Sequence, residues 1–549
     1  MIDLPGGDFA FLPLGGTGEI GMNLNLYRCD GRWLAVDCGI GFGGAELPEV
    51  DVMVPDPGFI AARRAQLDGL VITHAHEDHV GAVAWLWRQL RCPVYATPFT
   101  AAVLRAKLAE AQLLAEVPLT IIPPGGGFTV GPFALRFLRV AHSTPESQAL
   151  AITTRHGTVL HTGDWKLDPN PLVGPPTDEA AFAALGERGV LEMVCDPTNA
   201  MVEGHSGSEA EVRRSLTALI RGLTGRVVVT CFASNVARVE TVALAAHEAG
   251  RSVALVGRSL RKIEAAARAT GYLKNVPEFV PEDEAGSIPD DNLLLLATGS
   301  QGEPRSALAR IAADKHPHVA LGEGDTVVFS SRVIPGNERA IGTVQDGLVR
   351  RGVRLMTEHD HMVHVSGHPA RDELRRLYRL VRPRLSIPVH GEWRHLAAHA
   401  DLARELGIPA ILIEDGDILR LAPGTADVVE SAPVGRLVVD GNRLIPLGGE
   451  VMGARRRMLH HGAVIASIAV DGAGRLRGAP RLSAQGMFEP EDPDLARIAS
   501  DFAANLGELP ASLARDEAAL SEAARAALRR ALGRRLQKRP LVEVHIVRV

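Results

Sequence analysis

The feature that most constrains this chain is one short segment in which four side chains that can bind metals fall within six residues. The segment follows the apolar run 71–73, which we predict to be a strand, and it precedes a predicted helix over 82–89. Its ligand-type residues are His74, His76, Asp78 and His79. Neutral imidazoles and carboxylates suit zinc and manganese. Because two of these residues lie at the strand end and two at the turn into the helix, one segment can serve two neighbouring metal ions.

The pattern H-x-H-x-D-H followed by glycine resembles the signature of hydrolases of the metallo-β-lactamase superfamily, and further ligand-type residues stand in that family's order. These are Asp37 in Val36-Asp37-Cys38-Gly39, His142 in Ala141-His142-Ser143, Asp164 in Thr162-Gly163-Asp164-Trp165 and His390 in Pro388-Val389-His390-Gly391-Glu392. The resemblance implies that His74, His76 and His142 bind a first metal ion. It implies that Asp78, His79 and His390 bind a second ion and that Asp164 bridges the two. Asp37 is implied to orient the ligands from behind.

From about residue 206 strands and helices alternate, which predicts a parallel sheet covered by helices. Such an insertion between the metal ligands is not a feature of β-lactamases. It resembles the β-CASP nucleases, and among them the bacterial ribonuclease J family. The matching segments are Gly15-Gly16-Thr17-Gly18-Glu19-Ile20-Gly21, Cys195-Asp196-Pro197-Thr198-Asn199-Ala200, Phe232-Ala233-Ser234-Asn235, Thr298-Gly299-Ser300-Gln301-Gly302-Glu303-Pro304, Ile334-Pro335-Gly336-Asn337-Glu338 and His364-Val365-Ser366-Gly367-His368. Asp196 is implied to be the first acidic β-CASP motif, in a supporting position behind the ligands.

Pattern and resemblance together predict an α/β fold. It consists of a metallo-β-lactamase αββα sandwich, an inserted parallel-sheet β-CASP domain and a small α+β C-terminal domain. The predicted bounds are 1–205 and 346–430 for the two parts of the sandwich, 206–345 for the insertion and 431–549 for a linker and the C-terminal domain. Within these domains we predict a helix over 303–313, a helical stretch over 510–535 and a final strand over 541–549.

The chemistry expected of such a site is hydrolysis of an anionic phosphodiester. Two metal ions neutralise phosphate charge and lower the pKa of a bridging water. We expect Asp78 or Asp164 to accept the proton of that water and His368 to act as general acid toward the leaving 3′-oxygen. We expect His364, Val365, Ser366 and Gly367 to donate hydrogen bonds to the scissile phosphate. The alternative is that His364 and His368 only support His390.

A second phosphate-binding segment is predicted in the insertion. Ala233, Ser234 and Asn235 stand between a predicted strand and a predicted helix, where backbone N–H groups can bind an anion. Together with the resemblance, this placement makes them candidates for binding RNA beside the channel. The alternative is an ordinary helix N-cap at Ser234.

The resemblance implies a metal-dependent ribonuclease that degrades single-stranded RNA from the 5′ end, favours a 5′-monophosphate and in some members also cuts internally. It implies roles in mRNA decay and rRNA maturation, a homodimer or homotetramer, and association with a degradosome or the ribosome. Two Zn²⁺ ions are expected, with Mn²⁺ or Mg²⁺ as alternatives. The loop 39–50 departs from the common form, which argues against a structural Ca²⁺ site found in some relatives. Pro197 stands where serine is more usual.

Composition indicates where this chemistry takes place. Five cysteines without a C-x-x-C pair fit free thiols in a reducing cytosol, so we expect a cytoplasmic protein. No run of about 18 apolar residues is present, and the start lacks a basic and apolar leader, so we expect neither a membrane span nor a secretory signal. The net charge of −6 argues against a generic polyanion binder, so a local basic channel or the metal ions must hold RNA.

Two other functions are compatible with these motifs. One is a nuclease of the same fold with another substrate, either a β-CASP enzyme acting on DNA or a tRNA 3′-processing enzyme, although the β-CASP motifs argue against the latter. The other is a non-catalytic RNA-binding scaffold. Such a scaffold is expected to lose metal ligands, whereas all seven ligand positions here hold ligand-type residues.

Overall fold

The computed structural model describes residues 7–43, 47, 50–489, 491–510, 513, 516–533 and 535–549. The chain divides into two compact units, Met1–Val439 and Asp440–Val549.

The first unit is built on two large sheets that enclose an apolar core. One sheet has, in spatial order, the strands Asp427–Ser431, Asp417–Ala422, Phe9–Gly15, Leu24–Cys29, Arg32–Val36, Leu67–Val71, Val94–Ala96 and Leu119–Ile121. The other has the strands Gly127–Val130, Phe133–Arg139, Gln148–Thr154, Gly157–His161, Glu192–Cys195 and Leu385–Pro388. Phe11 and Val71 of the first sheet share one buried cluster with Phe137 and Ile152 of the second. This face-to-face packing is the centre of the predicted sandwich.

Helices and short strands complete the sandwich. Helices Glu179–Arg188, Arg371–Val381 and Trp393–Glu405 pack on the outer face of the six-stranded sheet. Helices Gly58–Ala61, Glu77–Val80, Val83–Leu90 and Pro98–Glu110 and the 3₁₀ helix Arg64–Gln66 follow strands of the other sheet. Thr17–Gly18 pairs in parallel with Gly391–Glu392, and Val52–Pro55 pairs antiparallel with both Gly41–Phe42 and Arg436–Asp440.

The insertion contains a five-stranded parallel sheet, as the alternating pattern predicts. Its spatial order is Ser252–Val256, Leu293–Ala297, Val227–Thr230, Thr326–Phe329 and Arg354–Met356. The helices are Glu209–Arg221, Val236–Glu248, Arg258–Ala269, Ala307–Ala312 and Glu338–Val349, with 3₁₀ turns at Ala285–Ser287 and Asp290–Asn292. Apolar clusters lie on both faces of the sheet. The central strands are therefore continuous hydrophobic runs, because neither face meets water.

The second unit is a small α+β domain. Its central strand Ala463–Val470 pairs antiparallel with Arg481–Gln485 and in parallel with Leu541–Arg548. Helices Pro493–Gly507 and Glu517–Gly533 pack on one face of this sheet through a buried cluster that includes Phe502 and Leu528. The strand Arg443–Pro446 and the helix Glu450–His461 precede it. Among the residues that the structure describes, no helix combines the length and apolarity needed to cross a membrane.

Three sequence-based boundaries differ from the structure. The strand predicted over 71–73 ends at Val71, because the Thr73 N–H donates to the Asp37 carboxylate instead of to a neighbouring strand. The helix predicted to begin at residue 303 begins at Ala307, where the Ser306 hydroxyl accepts the Ala309 N–H and caps it. The helical stretch predicted over 510–535 is a helix only at Glu517–Gly533, and residues 511, 512, 514, 515 and 534 lie outside the described residues.

One buried carboxyl makes the stability of the sandwich depend on pH. Glu192 lies on a central strand, is 5% exposed and has a carboxyl oxygen with no hydrogen-bond partner among the described atoms. Burial raises the pKa of Glu192 to about 8, with only a partial offset from Arg384. The folded protein therefore keeps this group protonated at pH values where the unfolded chain, with a pKa of about 4.3, has already lost the proton.

We therefore expect stability to decline between about pH 4.5 and pH 8 through this group, and Glu192→Gln to remove that component. The measurement is the thermal unfolding midpoint of both proteins from pH 5 to pH 9. The variant should gain stability relative to the parent as pH rises. Exposed Glu187→Gln is the control, and parallel curves for Glu192→Gln and the parent would contradict the assignment.

Candidate metal centre

The ligand-type residues predicted from the sequence converge because each follows the end of a sandwich strand or the turn beyond it. Their strands are Arg32–Val36, Leu67–Val71, Phe133–Arg139, Gly157–His161, Glu192–Cys195 and Leu385–Pro388. Arg32–Val36 pairs in parallel with Leu67–Val71, and Glu192–Cys195 pairs in parallel with both Gly157–His161 and Leu385–Pro388. Parallel strands deliver their carboxyl ends to one edge of a sheet, so the loops beyond them meet at one site.

The first ligand cluster contains His74, His76, His142 and Asp164, as the resemblance implies. The Nδ1 atom of His76 lies 3.1 Å from Nε2 of His74 and 3.0 Å from Nε2 of His142. Nitrogen ligands of one tetrahedral zinc ion lie about 3.3 Å apart, given zinc–nitrogen bonds of 2.0–2.1 Å. Burial lowers the pKa of all three histidines, that of His76 to about 4. Neutral imidazoles so close together form a donor set that fits a divalent metal.

The second cluster contains Asp78, His79, His390 and again Asp164. His79 Nε2 lies 3.5 Å from an oxygen of Asp78 and 3.3 Å from one of Asp164. His390 Nε2 lies 3.6 Å from oxygens of the same two carboxylates. These nitrogen and oxygen atoms surround a space that is large enough for one metal ion, so the second donor set also fits a divalent metal.

Asp164 joins the two clusters. Its Oδ2 lies 3.6 Å from His74 Nε2 and 3.3 Å from His79 Nε2, and its Oδ1 faces His390. Burial favours the neutral acid, but the rings of His390, His79 and His368 outweigh it and hold the pKa of Asp164 well below its usual value. Asp164 Oδ1 and His390 Nε2 are buried without a hydrogen-bond partner among the described atoms. Orphaned polar atoms of this kind are costly unless a bound ion satisfies them.

Residues behind the ligands fix the orientation of the rings. Asp37, with a left-handed φ of 63°, accepts the Thr73 N–H and, 2.7 Å away, the Nδ1–H of His79. His142 Nδ1 donates to the Gly367 carbonyl at 2.6 Å. In each case the other ring nitrogen keeps its lone pair for the cluster. Asp37 therefore lies where it can orient His79, as expected. The backbone carbonyl of Gly367 orients His142 in the same way, which the sequence did not indicate.

His368 and Asp196 form a pair at the open side of the centre. His368 Nδ1 lies 2.7 Å from an Asp196 carboxylate oxygen, and its side chain is 23% exposed. Burial lowers the pKa of His368, but the carboxylates of Asp196 and Asp164 outweigh it and raise the pKa to about 9. The ring stacks on His390, with centroids 5.9 Å apart. An imidazole that is anchored at Nδ1 and partly open to solvent can hold a proton at Nε2.

The segment 364–368 is anchored to the insertion. Arg238 is fully buried, pairs with Glu209 at 3.0 Å and donates to the Val363 carbonyl at 2.9 Å. Val365 packs into the apolar core, so only its backbone can face a ligand. Ser366 Oγ accepts from the Asn199 amide at 2.8 Å. Burial lowers the pKa of His364 to about 3, and its Nδ1 has no hydrogen-bond partner among the described atoms.

The other predicted anion-binding segment lies at the start of helix Val236–Glu248. Its N-cap is Asn235, whose side-chain oxygen accepts the Arg238 N–H at 2.9 Å, while its amide donates to Glu209. The alternative of a helix N-cap at Ser234 is therefore wrong by one residue, because Asn235 caps this helix. Ala233 and Ser234 are half-buried at the turn before this helix.

The sequence departs from the common family pattern at Pro197 and in the loop 39–50. Pro197 packs against Gly391, where an added Cβ would lie 2.8 Å from the proline ring. The expectation about a Ca²⁺ site concerns the loop 39–50, of which residues 44–46 and 48–49 lie outside the described residues.

Sequence reasoning missed Asn23, which touches the centre directly. The amide of Asn23 lies within hydrogen-bond distance of the Asp78 carbonyl, His79 and His390. The one signal in the sequence was the position of Asn23, two residues after the glycine-rich opening 15–21. A search for metal-ligand motifs does not detect it, because asparagine is not part of the histidine and aspartate spacing.

The contact between Gly367 and His142 yields a test of the first cluster. A Cβ at Gly367 would lie 2.8 Å from Cε1 of His142, so Gly367→Ala must displace the ring or the carbonyl that orients it. We expect metal affinity to fall by about 10- to 100-fold, as for other residues that orient ligands. Gly322→Ala is the control, because its Cβ would meet nothing within 4 Å. Zinc titration against a competing chelator measures the change, and equal affinities for both variants would contradict this role of Gly367.

Comparison with protein-family models matches four segments of the chain. A metallo-β-lactamase superfamily model matches residues 23–230, and a ribonuclease J β-CASP domain model matches residues 224–348. A model of the Zn-dependent metallo-hydrolase RNA specificity domain matches residues 352–413, and a ribonuclease J C-terminal domain model matches residues 450–549.

Full-length relatives agree with these models. A ribonuclease J of Sinorhizobium meliloti is 46% identical over 99% of this chain and 98% of its own length. A ribonuclease J of Mycolicibacterium smegmatis is 39% identical over the same shares of the two chains. A solved structure of a protein of unknown function from Enterococcus faecalis V583 aligns with a TM-score of 0.53 at 15% identity over 75% of this chain and 100% of that chain, which is a likeness of fold alone. The chain therefore belongs to the ribonuclease J family and is a metal-dependent ribonuclease with a metallo-β-lactamase fold.

Proposed function

We propose that this ribonuclease degrades single-stranded RNA from the 5′ end, favours a 5′-monophosphate, and uses two divalent metal ions, with Zn²⁺ as the first candidate. The observation that carries the proposal is the pair of ligand clusters that share Asp164 and lie beside the partly exposed His368. Internal cleavage is a further activity within the same proposal.

The ligand sets assign the ions to places in the chain. His74, His76 and His142 would hold one ion, and Asp78, His79 and His390 would hold the other, with Asp164 shared. Ions bound there supply charge neutralisation for the phosphate and a water of lowered pKa. Carboxylate oxygens of Asp78 and Asp164 lie 3.5 Å and 3.3 Å from His79 Nε2, and either carboxylate would be placed to accept the proton of an attacking water.

His368 is the proposed general acid. Asp196 holds its Nδ1, which leaves Nε2 to deliver a proton to the leaving 3′-oxygen. Its side chain is 23% exposed, which permits contact with RNA. Asp196 acts here through His368 and does not itself reach the substrate.

The phosphate groups of RNA are proposed to bind two segments. His364, Ser366 and the backbone of Val365 and Gly367 lie on the loop that carries His368 and can donate to the scissile phosphate. Ala233 and Ser234, with the helix start capped by Asn235, are proposed to bind a second phosphate along the strand. The Arg238 anchor connects these two segments within one rigid network.

The biological setting remains part of the proposal. The relatives matched over nearly the whole chain are ribonucleases J, which supports RNA as the substrate. We propose action in the cytoplasm in mRNA decay and rRNA maturation, as a homodimer or homotetramer that associates with a degradosome or the ribosome. The domain bounds 1–205, 206–345, 346–430 and 431–549 are proposed on the same basis.

The deciding experiment compares one synthetic RNA sequence that carries a 5′-monophosphate, a 5′-triphosphate or a 5′-hydroxyl, with zinc or manganese supplied. We expect mononucleotides to be released from the monophosphate form about 10- to 100-fold faster than from the hydroxyl form, the size of about one hydrogen bond to a charged group. His76→Ala removes one ligand and should abolish release. Internal cuts that ignore the 5′ group would indicate an endonuclease, and no metal-dependent cleavage of RNA would refute the proposal.

A second measurement isolates the proposed acid. His368→Gln should lower kcat on the monophosphate RNA by about 10²- to 10⁴-fold, while the metal content stays at the parental value. His361→Gln, an exposed histidine on the same segment, is the matched control and should change neither quantity. A kcat for His368→Gln equal to that of the control would remove His368 from the proposed chemistry.

A further inference from the structure

We infer that Asn23 is the positioning residue of the second ligand cluster: its carboxamide holds His390 in the ring form whose Nε2 can bind metal. The inference rests on the two-ion function proposed above and assigns a role to a side chain that no sequence motif marks. It concerns one cluster alone, so it predicts an unequal effect on the two ions.

The contacts of Asn23 single out the second cluster. Its side chain is 2% exposed, and its amide nitrogen lies 3.0 Å from the Asp78 carbonyl and 3.2 Å from His79 Nε2. Both amide atoms lie near His390 Nδ1, the nitrogen at 2.8 Å and the oxygen at 3.1 Å. Asn23 thus touches every member of the second cluster except the shared Asp164, and the contacts described for it include no ligand found only in the first cluster.

The Asp78 carbonyl fixes which amide atom of Asn23 is the nitrogen. A carbonyl can only accept, so the atom of Asn23 that faces it must be the N–H₂ group. The Nε2 atom of His390 faces the carboxylates of Asp78 and Asp164 at 3.6 Å, so a metal ion held there would take the Nε2 lone pair and leave the proton on Nδ1. Of the two amide atoms near Nδ1, only the oxygen, 3.1 Å away, can accept a hydrogen bond from it. With its proton on Nδ1, His390 keeps the lone pair of Nε2 for the cluster, where that atom has no hydrogen-bond partner among the described residues.

The backbone around Asn23 is built to hold this amide in place. Gly16 has a φ of +93°, and a Cβ there would lie 2.4 Å from the amide oxygen of Asn23. The Gly16 carbonyl also accepts the backbone N–H of His390. The Asn23 N–H donates to the Asp78 carbonyl at 3.1 Å, and its own carbonyl accepts the Gly39 N–H at 2.9 Å. The glycine-rich opening therefore leaves space for the amide and fixes His390 from the same side.

The first cluster is oriented by other groups. His142 donates to the Gly367 carbonyl, His74 contacts the Thr73 hydroxyl and His76 contacts Ser143. Loss of the Asn23 amide leaves all of these contacts intact. A purely structural role would weaken both ions together or neither, whereas a positioning role weakens only the second.

The test is a zinc titration of the full chain against a competing chelator, which resolves the dissociation constants of the two ions. Asn23→Leu removes every side-chain hydrogen bond and keeps the number of side-chain heavy atoms, and Asn23→Ala removes them without added bulk, so one of the two serves if the other does not fold. Both should raise the second dissociation constant by about 10- to 100-fold and leave the first within about threefold. Asn23→Asp keeps an acceptor for His390 Nδ1–H, so its effect should be smaller than that of Asn23→Leu.

Two control variants define the largest and the smallest expected change in zinc binding. His390→Ala should remove the second ion altogether. Asn505→Leu removes another buried amide, which donates to the Ala527 carbonyl in the second unit, and should change neither ion. Parental zinc affinities in both Asn23→Leu and Asn23→Ala, equal weakening of both ions, or equal effects of Asn23→Asp and Asn23→Leu would overturn the inference. A parental chain that binds fewer than two ions would instead refute the two-ion function, and the inference with it.

Discussion

The electrostatics of the centre depend on one buried carboxylate. Asp164 brings a negative charge into an interior where an unpaired charge is costly. Imidazole rings surround it, and those of His390, His79 and His368 hold its pKa well below the usual value. One oxygen nevertheless remains without a hydrogen-bond partner among the described atoms. This balance leaves the carboxylate ionised and still able to bind a cation, which a fully satisfied ion pair could not do.

The ligands around Asp164 are positioned by contacts from distant parts of the chain. Asp37 orients His79, the carbonyl of Gly367 orients His142, and Asn23 contacts His390 from 367 residues away in sequence. Each partner fixes which ring nitrogen carries the proton. The two parts of the sandwich and the segment that follows the insertion must therefore all be folded before the centre has its geometry.

The fold and most of the centre could be predicted because their signals are local. The cluster His74 to His79 and the order of the later ligands carried a family resemblance that implied the donor sets, and the alternating pattern predicted the parallel sheet of the insertion. What could not be predicted depends on contacts between segments. Asn23 carries no motif, the carbonyl of Gly367 orients His142 although the sequence predicts only phosphate binding there, and the late start of helix Ala307–Ala312 depends on a cap at Ser306. An asparagine or a glycine has many roles, and only the folded chain shows which role it has.

The segment 363–367 joins two parts of the molecule that sequence comparison treats as separate modules. Its start is bound to Arg238 of the insertion, and its Gly367 carbonyl is bound to His142 of the sandwich. The insertion is therefore not an interchangeable cassette. Recombination between homologues that exchanged this domain alone would have to preserve both ends of the segment. The junction after the insertion is thus expected to evolve as one block with the sandwich residues that it orients.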